Sequence, residues 1–170
     1  KMLDETVLQQ SCDARPRLRC TDRPASIPEP QSVGLVIGGS AHLWPPKHWV
    51  WLLQQLQHAG WKPILFGGKE ARGLALFLKL KCGALESHVG RLGFVDAVPR
   101  LQRVSALVGH DTGFTHFASL VVPNVVVIMG GGTFRRFFPW PGAKNQQVVF
   151  AGMDCFDCNW ICAPGGFPCV

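Results

Sequence analysis

Four short apolar runs, each closed by a turn that contains glycine, constrain this chain more than any other feature. They are Ser32–Ile37, Lys62–Phe66, Val104–Val108 and Val125–Met129. Each is too short for a stable helix and is bounded by turn residues, so each reads as a buried strand. The turns are Gly38-Gly39-Ser40, Gly67-Gly68, the polar stretch from Gly109 to Gly113, and Gly130-Gly131-Gly132. Trp49, Leu52, Leu53 and Leu56 recur at i, i+3, i+4 and i+7, which predicts a helix from about Lys47 to His58 with proline at its favoured first turn. Glu70 opens a second helix to about Leu80. Strand and helix alternating over short connections argue for an α/β protein built on a Rossmann-like, doubly wound parallel sheet. Such a sheet gathers its strand-end turns on one edge, where ligands bind.

The rest of the chain is arranged around that body. Residues 1–31 read as an arm or interdomain linker with a short helix at Leu3–Gln10, residues 32–154 as the domain, and residues 155–170 as a cysteine-rich segment. A third strand is expected at His88–Gly90 and a last one at Gln147–Phe150. Phe94, Val98, Leu101 and Val104 recur near helical spacing, interrupted by Pro99. The start at Lys1-Met2 and the end at Cys169-Val170 read as those of a fragment.

With 47% hydrophobic and 16% charged residues, 170 residues make one domain with a real core. The net charge of +6 suits an anionic partner: a nucleotide, a nucleic acid or an acidic membrane surface. No Lys/Arg block interleaved with aromatics marks a nucleic-acid face, so none is expected as a partner. No apolar run reaches the roughly 18–20 residues of a membrane span, and the first residues are not a signal peptide.

The densest polar turn is Gly109-His110-Asp111-Thr112-Gly113-Phe114-Thr115-His116. Thr112 and Gly113 offer backbone N–H groups at a helix start, which suits a phosphate, and His116 shares a helix face with Thr112. Asp-Thr-Gly is equally ordinary helix-entry chemistry. Ser40, Lys47, Glu70, Asp111, Thr112 and His116 could converge on the sheet edge. Lys47 stands at a helix start, where the macrodipole disfavours a cation unless an anion is near; a solvated lysine is the plain alternative. Glu70 is favoured at its helix start by the same dipole, and could also accept hydrogen bonds from a ribose. Gly131 lies in a glycine run that could cradle a phosphate or sugar. There is no Gly-Lys-Ser/Thr phosphate loop and no G-x-G-x-x-G fingerprint. Cys155, Cys158, Cys162 and Cys169, spaced C-x2-C-x3-C-x6-C, could be a zinc site, disulfides in an oxidising compartment, or free thiols.

The ordered set of motifs resembles family 9 glycosyltransferases, the ADP-heptose:lipopolysaccharide heptosyltransferase group. The motifs are Gly-Gly-Ser then Trp-Pro-Pro-Lys-His-Trp (Gly38–Trp49), Phe-Gly-Gly-Lys-Glu (Phe66–Glu70), Asp-Thr-Gly-Phe-Thr-His (Asp111–His116), Val122–Gly130 and Phe-Pro-Trp-Pro-Gly (Phe138–Gly142). The first turn departs from the family's frequent Asn-Pro-Gly. The resemblance implies a GT-B fold of which this chain is the C-terminal, donor-binding half. It implies inverting transfer from a nucleotide-diphosphate sugar to a lipopolysaccharide or other glycan, or lipid-linked, acceptor. Lys47 would face the phosphates or donor sugar, Glu70 the ribose, Asp111 the sugar hydroxyls, and Thr112, Gly113 and His116 the diphosphate and sugar. Lys47, Asp111 and His116 are thus the catalytic candidates on this half. The catalytic base is expected on the N-terminal GT-B domain, leaving this half alone inactive. No cofactor is required on this reading, and a structural zinc stays open. The resemblance places such an enzyme in the cytoplasm, peripheral to the inner membrane at most. Two other readings stand beside it: a non-catalytic nucleotide-sugar-binding module, and a zinc-stabilised interaction module.

Overall fold

In the computed structural model, which describes residues 28–39 and 43–169, one sheet of parallel strands runs through the molecule. Its strands are β1 (Ser32–Val36), β2 (Lys62–Phe66), β3 (Glu86–Ser87), β4 (Ala106–His110), β5 (Val125–Met129) and β6 (Gln146–Phe150). The helices are α1 (Pro46–His58), α2 (Arg72–Cys82), α3 (Phe94–Leu101) and α4 (Gly113–Ala118). The strand order β3-β2-β1-β4-β5-β6 is the doubly wound order expected. Its direction reverses between β1 and β4, which opens a crevice at the carboxyl ends of those two strands.

The period-2 alternation of the strands divides the core in two. Val33, Leu35, Leu65, Ala106, Val108 and Ile128 face α1 and α2 and pack with Trp49, Leu53, Ala75 and Leu78. Val36, Phe66, Leu107, Val125, Val127 and Met129 face the opposite side and pack with Ala97, Leu101 and Ala118 from α3 and α4. Both faces being covered explains why these strands read as continuous apolar runs rather than alternating ones.

Gly109 sits where β4 crosses behind α4. A Cβ there would lie 2.6 Å from Thr115 Oγ1 and 2.8 Å from Val36 Cβ. Gly109→Ala is therefore expected to destabilise the fold by about 2 kcal/mol through overpacking, read as a lower urea midpoint at unchanged slope.

Several boundaries differ from expectation. The third run forms a strand at Ala106–His110 instead of Val104–Val108. Val104 instead closes the turn after α3, its N–H donating to Leu101 O at 3.3 Å, while Gly109 and His110 pair with Val127 and Ile128 of β5. β3 is Glu86–Ser87 rather than His88–Gly90, because Gly90 takes φ +64° and turns the chain. Its neighbours still bond to β2, through His88 N–H to Leu65 O and Gly90 N–H to Gly67 O. Glu70 lies in a 3-10 turn, Lys69–Ala71, ahead of α2. Pro99 is contained inside α3, which is only eight residues long. The helix expected at Leu3–Gln10, most of the arm, and Ser40 lie outside the described residues. Where description begins, Glu29 already joins the body: its N–H donates to Arg103 O at 2.8 Å and its carboxylate pairs with Arg103. Among the described residues no helix is long and apolar enough to cross a membrane.

Candidate functional site

The crevice between β1 and β4 is an open cavity of about 1270 Å³. Gly38 and Gly39 after β1, Gly67, Gly68 and Glu70 after β2, and Asp111, Thr112, Gly113 and His116 after β4 all line it. Phe94, Phe114, Phe137, Thr133 and Trp160 also belong to the wall. The strand-end turns thus meet on one edge as the topology requires.

Each turn has a local reason for its glycines. A Cβ on Gly38 would lie 2.7 Å from Glu70 Oε1, and one on Gly68 would collide with the same carboxylate. Glu70 therefore folds back over both glycine turns at the cavity wall. A Cβ on Gly39 would meet Leu43 Cδ2 at 2.9 Å and Thr112 Cγ2 at 3.1 Å, so the β1 and β4 turns touch there.

Thr112 caps α4 with extended backbone (φ −138°, ψ 157°), its Oγ1 accepting the Thr115 N–H at 3.4 Å. Capping leaves the N–H groups of Gly113 and Phe114 without partners inside the helix. Asp111, whose side chain is 15% exposed, is oriented from two sides. His116 Nε2 lies 3.1 Å from its Oδ1, and Thr133 Oγ1 lies 3.5 Å from Oδ2.

His116 is itself fixed. Trp140 Nε1–H donates to its Nδ1 at 3.1 Å. An indole N–H can only donate, so Nδ1 accepts and the ring proton sits on Nε2, directed at Asp111. The imidazole is stacked on Phe138 at 4.0 Å and 8° and lies parallel to Trp140 at 5.8 Å. Both ring nitrogens are engaged, Nδ1 by Trp140 and Nε2 by Asp111.

Two expected site residues stand elsewhere. Lys47 is exposed on the first turn of α1 and is not among the residues lining the cavity. Gly131 is buried away from it. Its N–H donates to Cys169 Sγ at 3.3 Å and its carbonyl accepts the Asp157 N–H at 2.6 Å. A Cβ on Gly131 would lie 2.5 Å from Phe156 Cδ1, and one on Gly132 would collide with the Trp160 ring. The glycine run after β5 accommodates aromatic rings from the C-terminal segment, not a ligand.

The cysteine-rich segment forms neither of the linked arrangements left open by its spacing. Cys155, Cys158, Cys162 and Cys169 are free thiols. Among the described residues no three His, Cys, Asp or Glu side chains gather as a metal site. Cys169 is turned inward onto Gly131, and the segment is held by Arg136 bonding Asn159 and Asp157 at 2.8 and 2.7 Å.

Sequence reasoning missed His110 and Trp140. His110, 5% exposed, points from the end of β4 to the α1 side and meets Trp49 edge-on at 5.4 Å. Its Nε2 accepts the Trp44 backbone N–H at 2.9 Å. Burial pushes its imidazole down to about 4, with the Gly38 backbone opposing this. The signal was available: strand alternation from Ala106 and Val108 carries His110 to the same face.

A family model described as glycosyltransferase family 9 (heptosyltransferase) matches residues 14–159. Among curated proteins none matches the sequence significantly. Solved structures of similar fold include E. coli ADP-heptose lps heptosyltransferase II, with a TM-score of 0.61 and 20% identity over 75% of this chain and 43% of that one. E. coli heptosyltransferase WaaC with ADP-2-deoxy-2-fluoro heptose gives 0.59 and 19% over 76% and 41%. The iron-containing dodecameric glycosyltransferase TibC from enterotoxigenic E. coli gives 0.59 and 19% over 84% and 36%. The chain spans less than half the length of each of these proteins.

Proposed function

The chain belongs to glycosyltransferase family 9, the heptosyltransferase family, and from that membership we propose that it is the donor-binding half of a sugar-transferring enzyme. The donor is a nucleotide-diphosphate sugar, and the acceptor a glycan or lipid-linked sugar approaching from an N-terminal GT-B domain that supplies the catalytic base. The observation that carries this reading is the cavity at the β1–β4 reversal, whose polar rim is Glu70, Asp111, Thr112 and Gly113.

On this reading the sugar hydroxyls bond to Asp111, the ribose to Glu70, and the diphosphate to the N–H groups of Gly113 and Phe114. Transfer breaks the bond between the anomeric carbon and the β-phosphate oxygen as the acceptor oxygen attacks the opposite face, and the acceptor's proton passes to the base. Negative charge grows on the departing diphosphate, so donors aimed there lower the barrier selectively. Lys47 and Ser40, which the sequence places between β1 and the first turn of α1, are assigned to that anion. His116 serves indirectly, by presenting Asp111. Among the described residues the thiols of the C-terminal segment do not gather as a metal site.

WaaC has been seen with ADP and with an ADP-heptose analogue, which makes ADP-heptose the first donor to test. Calorimetric titration of the full chain with ADP, UDP, GDP and their sugar conjugates should reveal one preferred nucleotide, bound more tightly as its sugar conjugate. A folded protein that binds none of them would overturn the donor reading for this half alone.

A further inference from the structure

Besides the site itself, the fold contains a buried histidine for which the transfer chemistry has no use. The geometry points to His110 as a positioning residue that ties the start of α1 to the strand end bearing Asp111. The functional part of this inference rests on the donor reading above; the structural part does not.

The tie is a single, part-buried hydrogen bond. His110 Nε2 accepts the Trp44 N–H at 2.9 Å. Trp44 is fixed further by stacking on His48 at 5.2 Å and by meeting Trp49 edge-on at 5.2 Å. Its neighbour Leu43 packs on Gly39, which touches Thr112. One continuous set of contacts therefore runs from His110 through Trp44 and Leu43 to the rim where the β1 and β4 turns meet. The same tie sets the first turn of α1, which bears Lys47.

Only a neutral imidazole can make this bond. With Nε2 accepting, the ring proton is on Nδ1, which makes no hydrogen bond of good geometry, and the Gly38 backbone favours a second proton less than burial opposes it. A second proton would go to Nε2 and set two donors against each other. Among the described residues, the ionisable groups on the neighbouring elements are Lys47 and His48 on α1, Glu70 against Gly38, and Asp111 next in the chain; β5 carries none. None of them hydrogen-bonds the imidazole. Among the described residues, Trp49 Nε1 is likewise buried without a hydrogen-bond partner.

Two variants separate this role from plain packing. His110→Phe keeps a ring on Trp49 but removes the acceptor. His110→Gln keeps an acceptor at the far end of the side chain and does not titrate. Amide hydrogen exchange at Trp44 should be about tenfold faster in H110F and near wild type in H110Q. Affinity for ADP, or for whichever nucleotide the wild type prefers, should fall severalfold in H110F and be rescued in H110Q. Should H110F fail to fold, the wild type provides the test: Trp44 protection should be lost as pH falls through about 4, and retained in H110Q. Unchanged Trp44 exchange in H110F, or across that pH range in the wild type, would overturn the tie. Faster exchange with unaltered nucleotide affinity would overturn its bearing on the site. Wild-type protein that binds no nucleotide would count against the donor reading, while the exchange experiment would still decide the tie.

Discussion

Replacing Asp111 with alanine is expected to weaken binding of the preferred nucleotide-sugar about a hundredfold while changing affinity for the bare nucleotide far less. A carboxylate accepting hydrogen bonds from sugar hydroxyls contributes about 1.5–3 kcal/mol per bond in a sheltered site, and two such bonds reach that factor. The site is sheltered: the side chain is 15% exposed, with His116 Nε2 fixing one oxygen and Thr133 flanking the other. The contrast between the two ligands matters, because a general loss of fold would weaken both alike. Asp111→Asn sharpens the test. It can still accept the His116 Nε2–H, so the cavity wall stays in place, but it presents an amide with no charge and only one accepting oxygen. An intermediate loss is expected. Equal losses for nucleotide and conjugate would show that Asp111 supports the wall and does not touch the sugar.

The second large effect is on stability in acid. His110 is buried neutral, with its imidazole pushed down to about 4 by desolvation. In the unfolded chain it takes up a proton below about 6.5. Between those values the unfolded state binds more protons than the folded state, so stability falls as pH is lowered through this window and this contribution levels off below it. The loss from this one residue amounts to about 3 kcal/mol, a large share of a domain's stability. Urea unfolding at a series of pH values checks it, with His110→Gln as the comparison. The wild type should lose stability relative to the variant between pH 6.5 and 4. Parallel curves would show that the imidazole is not buried neutral.

The sheet and the location of its functional edge could be read in the chain because strand length and glycine punctuation are local properties. β2 and β5 begin and end where the apolar runs do. β4 is displaced because its last two residues, Gly109 and His110, look like turn residues. What keeps them in the strand is the partner β5, and pairing across a sheet leaves no mark on the local sequence. The polar rim of Glu70, Asp111, Thr112 and Gly113 was legible as strand-end chemistry. The orientation of His116 was not, because it depends on Trp140, 24 residues away. The glycine run at Gly130-Gly131-Gly132 shows the opposite hazard. Glycine signals close approach by something, and only the fold reveals that Phe156 and Trp160, not a sugar, make that approach. The cysteine spacing left three arrangements open, and the structure has the free thiols, because proximity along the chain does not by itself turn side chains toward one point.

The central claim, that a nucleotide diphosphate lies in the crevice where the strand order reverses, is tested most directly by amide NMR mapping with ADP titrated into the full chain. The account predicts saturable shifts concentrated at Gly38, Gly39, Gly68, Thr112, Gly113 and Phe114, with the C-terminal glycine run, Gly131 and Gly132, unmoved. Saturable shifts centred on Gly131 and the cysteine-rich segment, with the β1 and β4 turns silent, would contradict it.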